Sequence, residues 1–173
     1  MMMLNDEVNI LRQVPLFSSI DPCRLKKLAF SSHRQHFEAG EELFHQGDDA
    51  DHAYIIISGN ASVMTDGADG PTRIAEIPAG NIVGEIALLC GGSRRATVQA
   101  LDSMDVLAID SKCFMHMLSE DSTACANIMR VLAARLADTT ADLIAARAEL
   151  SNDVVHYPNG LSPARCDGRS GGL

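Results

Sequence analysis

Apolar positions change their spacing along this chain, and the changes divide it into three zones. Around residues 5–14 and 22–32 they follow helical spacing: Leu25, Leu28 and Ala29 share one face, and Asp21 stands where an N-cap belongs. From Gln35 to Ile109 short β-rich runs take over, at 54–57, 61–64, 73–77, 96–100 and 106–109. The breaks between them fall at Gly40, Gly47, Gly59, Gly67, Gly70-Pro71 and Pro78-Ala79-Gly80, the residue types that tight turns select. Short strands regularly broken by such turns predict a small barrel or roll.

Helical spacing returns after the roll. Residues 112–118 predict one short helix. From about 122 to 150 there is no glycine or proline and alanine is abundant, which predicts one long helix. Its seam of Cys125, Met129, Leu132, Leu136, Thr139, Leu143, Ala146 and Leu150 alternates steps of four and three, a heptad a/d repeat with one polar member. At ~1.5 Å per residue such a helix spans ~40 Å and outruns a small domain. A second copy packed along the seam is the favoured reading; a helix folded back on its own domain, with its far end frayed, is the other. From Ser151 the pattern stops, and Pro158, Asn159-Gly160, Pro163, Gly168 and Gly171-Gly172 mark 151–173 as a flexible tail.

Composition adds limits. The 173 residues suffice for one domain with a real core, and 46% hydrophobic content is ordinary for a globular chain. A net charge of −9 opposes non-specific binding to nucleic acid or anionic membrane. No apolar run is long enough to cross a membrane, Met1-Met2-Met3-Leu4 is followed at once by polar and acidic residues rather than a signal peptide, and the five cysteines show no metal-type pairing. A reduced cytoplasm fits these features best. The six histidines hold no zinc spacing, and the acidic loop of Asp48, Asp49 and Asp51 lacks the spacing of an EF-hand. No metal site is expected, and no catalytic Ser/His/Asp or Cys/His order stands out.

Chemistry concentrates between Val83 and Val98. Gly84-Glu85-Ile86-Ala87-Leu88 supplies a glycine, a carboxylate and one turn of apolar helix, and Arg94-Arg95-Ala96-Thr97-Val98 follows after a glycine-containing gap. Free backbone N–H groups at a helix start attract an anion, and a guanidinium grips the same anion through parallel hydrogen bonds. A carboxylate there would repel a phosphate, so it suits sugar hydroxyls instead. The set fits a small ligand with one phosphate and one sugar. The alternative is a strand–turn–helix corner whose arginine makes a weak surface ion pair. Cys90, beside the cassette, is open to redox sensitivity if exposed, but reads first as a small packed hydrophobe.

This string resembles the phosphate-binding cassette of cyclic nucleotide-binding domains, the family of the catabolite activator protein and the regulatory subunits of protein kinase A. Upstream, the residues from Phe37 to Asp48 resemble the family's first strands and glycine turn, those from Ala53 to Gly59 the next strand and turn, and Val14-Pro15-Leu16-Phe17 the entry to the roll. The likeness runs from about 11 to 150. It implies an α+β fold: a jelly-roll-like β-roll at about 35–110 with N-terminal helices and a long C-terminal helix, residues 1–150 forming one cyclic nucleotide-binding domain.

The resemblance also assigns roles. Glu85 would accept from the ribose 2′-hydroxyl, and Arg94 would pair with the exocyclic phosphate oxygens. Backbone N–H groups near Ile86 and Ala87, with Ala96 opposite, would complete the cradle that opens at Gly84. Val63, Val83 and Val98 are candidates for apolar walls, though core packing explains them equally well. Arg95 departs from the family, which commonly has alanine, serine or threonine there. It is open to a second phosphate contact, a contact to the base, or water. Thr139 and Thr140 stand where the catabolite activator protein carries a hydroxyl pair that meets adenine, one hydroxyl from each subunit. Thr139 also reads as a polar residue that sets helix register. The base contact favours cAMP over cGMP.

The expected function is a cytoplasmic, non-enzymatic receptor for a cyclic nucleotide. It would dimerise through the 122–150 helix, change helix packing on binding and signal to a protein partner, without contacting nucleic acid or inserting into a membrane. The alternatives are a transcription regulator of the catabolite activator type, as a fragment or acting through a partner, and an interaction module of the same fold that has lost its ligand.

Overall fold

In the computed structural model, which describes residues 2–67 and 70–153, two helices open the chain: α1 (Met2–Gln13) and α2 (Pro22–Ser31). Asp21 starts α2 by accepting the Cys23 N–H at 2.8 Å, and Pro22 tolerates the first helical position because its missing N–H would have no partner there. Eight strands follow: β1 (His33–Phe37), β2 (Glu42–Phe44), β3 (His52–Ser58), β4 (Asn60–Gly67), β5 (Gly70–Pro78), β6 (Ile82–Val83), β7 (Thr97–Ala100) and β8 (Met104–Asp110). A short helix α3 (Glu85–Cys90) lies between β6 and β7, and α4 (Ser111–Glu120) and α5 (Ser122–Asp153) close the series. Asp110 and Asp121 cap α4 and α5 through backbone N–H groups at Lys112 and Cys113, and at Thr123 and Ala124.

The strands form two antiparallel four-stranded sheets, ordered β1-β8-β3-β6 and β2-β7-β4-β5, which confirms the expected β-roll with flanking helices. In β3 and β8 alternate side chains serve two different cores. Ala53, Ile55, Leu107 and Ile109 pack toward Leu11, Phe17, Leu25, Leu28 and Phe114 of the helical layer. Tyr54, Ile56, Val106 and Ala108 pack between the sheets, with Leu43, Ala61, Val83 and Val98. Burial on both faces explains why these strands read as nearly unbroken apolar runs.

The chain divides into two compact units, Met1–Leu132 and Ala133–Leu173. In the first, α5 buries Ala124 and Ile128, with Val131 and Leu132 partly packed on the helical core. The buried row is therefore not the heptad seam: Cys125 is only partly covered and Met129 is 60% exposed. In the second, α5 continues to Asp153, and Leu136, Leu143 and Ile144 are 68%, 61% and 64% exposed. Most of the expected tail, 154–173, lies outside the described residues. Among the described residues, no helix is long and apolar enough to cross a membrane, and no group of His, Cys, Asp and Glu is arranged to hold a metal.

Candidate functional site

β6 delivers the chain from between the sheets to Gly84, whose φ of 82° is the left-handed conformation that glycine adopts without strain. Space imposes a second demand. A Cβ here would stand 2.5 Å from Arg94 Nη1 and 3.2 Å from the Phe44 ring. Helix α3 then turns Glu85, Ala87 and Leu88 inward and leaves Ile86 half exposed. It ends at Cys90, after which Gly91 and Gly92, both at positive φ, bring the chain back. Cys90 is exposed rather than packed, because the helix terminates there and the chain leaves the core.

The return segment is stitched to the loop before β3. Gly47 N–H donates to the Arg94 carbonyl at 2.9 Å, Arg94 N–H to the Asp48 carbonyl at 2.8 Å, and Asp49 bridges Ser93. Gln46 N–H donates to Thr97 Oγ1 at 2.9 Å. An open depression lies alongside, lined by Gln46 and Gly47 on one side and by 91–95 on the other.

Two charged side chains of this cassette are buried, Glu85 at 4% and Arg94 at 2% exposure. Glu85 is engaged within the chain. Arg94 Nη1 donates to the Gly84 carbonyl at 3.1 Å, and Nη2 to the His52 carbonyl at 2.6 Å. Its guanidinium carbon stands 4.1 Å from the centroid of Phe44 and 6.0 Å from that of Tyr54, two rings that stack on each other. The Asp51 carboxylate approaches Nη2 only to 3.5 Å and is 71% exposed, so it is a weak counter-ion. Arg94 Nε is buried without any hydrogen-bond partner. A buried N–H left unpaired costs ~1–3 kcal/mol, and more on a charged group.

The electrostatics agree with this geometry. Burial draws the Arg94 pKa below its usual value, against nearby Asp51 and Asp48, which favour the charged form. Partial burial works to raise Asp51, but its hydrogen bond to His52 and the charges of His52 and Arg94 outweigh burial and hold it low. Burial, then the Asp51 charge, raises the Tyr54 phenol.

Of the residues singled out from the sequence, Gly84, Glu85, Ile86, Ala87, Arg94, Arg95 and Ala96 all fall in this one cassette. Arg95 is exposed beside the depression, and no ion pair is formed by it among the described residues. Thr139 and Thr140 belong to the other unit. Both are exposed, and their hydroxyls donate to the Arg135 and Leu136 carbonyls of their own helix at 2.8 and 2.7 Å. Phe44, Asp51 and Tyr54 were not among the expected site residues, although all three sit in segments that carried the resemblance or the acidic loop.

Comparisons with known proteins bear on the same residues. The sequence pattern of the family described as "Cyclic nucleotide-binding domain" matches residues 34–121. An uncharacterized NTE family protein of Mycobacterium tuberculosis is 33% identical over 132 residues, 76% of this chain and 22% of that protein. The chain thus spans about a fifth of the length of that relative. Among solved structures, the regulatory domain of Toxoplasma gondii PKA, crystallised with cAMP, superposes with a TM-score of 0.63 at 27% identity, covering 66% of this chain and 44% of that one. The sensor domain of the transcriptional regulator DNR from Pseudomonas aeruginosa superposes with a TM-score of 0.73 at 21% identity, covering 81% and 95%, a likeness of fold. With the roll, the cassette and the matched stretch coinciding, the chain belongs to the cyclic nucleotide-binding domain family.

Proposed function

We propose that this domain is a cytoplasmic regulatory receptor for a cyclic nucleotide, cAMP before cGMP, without catalytic activity of its own. Arg94 carries the proposal. It is a buried cation with one N–H unpaired and only a weak carboxylate near it, and a singly charged phosphodiester supplies what it lacks. The buried Glu85 carboxylate, nine residues earlier on α3, suits the ribose 2′-hydroxyl, which donates to it without adding charge. Backbone N–H groups near Ile86, Ala87 and Ala96 complete the cradle opened by Gly84, and the exposed Arg95 is free to reach the phosphate or the base.

The signal would leave through α5. Beyond Leu132, its seam residues Leu136 and Leu143 stay exposed, which suits a second copy of the chain. In such a dimer Thr139 and Thr140 would exchange their bonds within the helix for contacts to the base. Binding would then shift the population between two packings of the helix, and a protein partner would read the shift.

Isothermal titration calorimetry on the full chain tests the site. The unaltered chain is expected to bind cAMP with micromolar or tighter affinity. Arg94→Ala is expected to abolish binding, and unchanged affinity in that variant overturns the assignment.

A further inference from the structure

A cation buried to 2% exposure is ordinarily held by a carboxylate, yet the nearest one to Arg94 is long and water-covered. What the guanidinium carbon stands over instead is an aromatic ring. Phe44 ends β2, and its centroid is 4.1 Å from the guanidinium carbon. The ring is backed by Tyr54, centroid to centroid 5.9 Å with a 26° tilt, so it cannot simply swing away. β2 is built to aim it. Between Glu42, opposite Gln99, and Phe44, opposite Val98, the register shifts: two steps on β2 match one on β7. Such an irregularity re-aims a side chain out of the regular alternation.

The absence of a Cβ at Gly84 leaves room for both partners of the stack, since that atom would meet Arg94 Nη1 and the Phe44 ring together.

We propose that Phe44 is a positioning residue for anion binding: its ring holds Arg94 by the face and leaves the charge and the unpaired Nε for the ligand's phosphate. The physical reason is a difference between two kinds of support. A carboxylate in this place would neutralise Arg94, and an incoming phosphate would have to displace it. An aromatic face attracts the cation through its quadrupole without cancelling the charge or occupying an N–H. The Gly84 and His52 carbonyls fix the two terminal nitrogens, and the ring fixes the plane. This inference rests on the cyclic-nucleotide reading and adds a residue to it.

The test combines calorimetry with NMR on the full chain. Phe44→Leu keeps the bulk and removes the ring; it is expected to weaken cAMP binding about thirtyfold, the size of a desolvated cation–π contact, while Phe44→Tyr retains affinity within about twofold. In the unliganded wild type, the Arg94 Nε–H signal, assigned by its loss in Arg94→Lys, is expected upfield of its random-coil position because of the ring current. Full affinity in a folded Phe44→Leu overturns the proposal. An Nε–H signal at the random-coil position overturns it too, even if Phe44→Leu fails to fold. A wild-type chain with a shifted signal but no affinity for cAMP or cGMP overturns the nucleotide reading instead, and leaves the stack standing.

Discussion

Between Gly84 and Thr97 the chain hides charge, with Glu85 and Arg94 at 4% and 2% exposure. Along 133–149 it does the reverse and leaves Leu136, Leu143 and Ile144 more than 60% exposed. Both depart from the usual rule of burial, and such departures are the informative ones. They point to different missing partners. The buried cation has one nitrogen without an acceptor, which the proposed small anionic ligand would complete. Leu136 and Leu143 repeat with heptad spacing on a helix, the arrangement that the proposed second copy would cover. Within the first unit the two patterns meet on α5, where Ala124 and Ile128 do the packing and Met129 does not. One helix thus carries a core row and, offset from it, a second apolar row.

Removing the charge is the strongest way to break the cassette side of this contrast. Arg94→Ala deletes a charge-assisted contact, and hydrogen bonds to charged groups contribute ~1.5–3 kcal/mol each. One such bond from Nε, together with loss of the charge that compensates the phosphate, puts the expected loss of cAMP affinity at about a hundredfold or more, read by calorimetry. Arg94→Lys keeps the charge and loses the planar fork, and should fall between the two.

On the helix side, Leu136→Glu combined with Leu143→Glu places like charges along the seam and keeps good helix formers at both positions. Analytical ultracentrifugation is expected to report a dimer for the unaltered chain and a monomer for the double variant, with the far-ultraviolet circular dichroism of the roll retained. A wild-type monomer removes the need for a second copy, and the exposed row then belongs to some other partner.

Gly84→Ala probes how the charge is accommodated. The new Cβ forces a positive φ on alanine and enters the space of Arg94 Nη1, 2.5 Å away. Strain of this kind costs ~1–3 kcal/mol. Urea denaturation should show a loss of that order with an unchanged m-value. A variant as stable as the wild type means that Arg94 does not lie against Gly84.

How much of this was legible from the sequence depended on length and repetition. β3 and β8 showed as apolar runs because both of their faces are buried, and α5 showed because nothing interrupts it for 32 residues. The short edge elements were harder. β1 is a mostly exposed His-Arg-Gln-His-Phe, β2 has three residues and β6 two, too few for a period to emerge. The cassette was legible because glycine, glutamate and arginine at set spacing form a string, and strings survive without structure. Phe44 belongs to no string of that kind. Its role arises from a register shift, which has no signature in residue type, and from its approach to Gly84 forty residues away, which the glycine alone does not announce. Asp51 was visible only as one of several acids, since nothing in the sequence separates the one that faces Arg94 from its neighbours. Cys90 was misjudged because a helix end was not foreseen at that residue.

The smallest expected effect concerns charges of the same kinds left in water. His36 Nδ1 lies 2.7 Å from Asp105 Oδ1 on paired strands β1 and β8, and Ser58 and Glu38 stand close by. The hydrogen bond to Asp105, ahead of the contribution from Glu38, raises the His36 pKa above 6.5. The same bond, aided by Ser58, lowers Asp105 below 3.8. For His36 the stabilisation is complete below 6.5 and fades as pH rises through the raised value. For Asp105 it is present above 3.8 and fades as pH falls through the lowered value. The pair therefore contributes between those limits and weakens toward neutral and alkaline pH. Both side chains are 52% exposed, so solvent and salt screen the pair heavily. Chemical denaturation from pH 5 to 8 should show stability declining slightly toward pH 8 in the wild type, with that part of the slope absent in His36→Asn. The affinity of the cassette for nucleotide should not follow this variant. An equal change in both would mean that the exposed pair and the buried arginine are coupled, and the contrast between hidden and open charge would no longer hold.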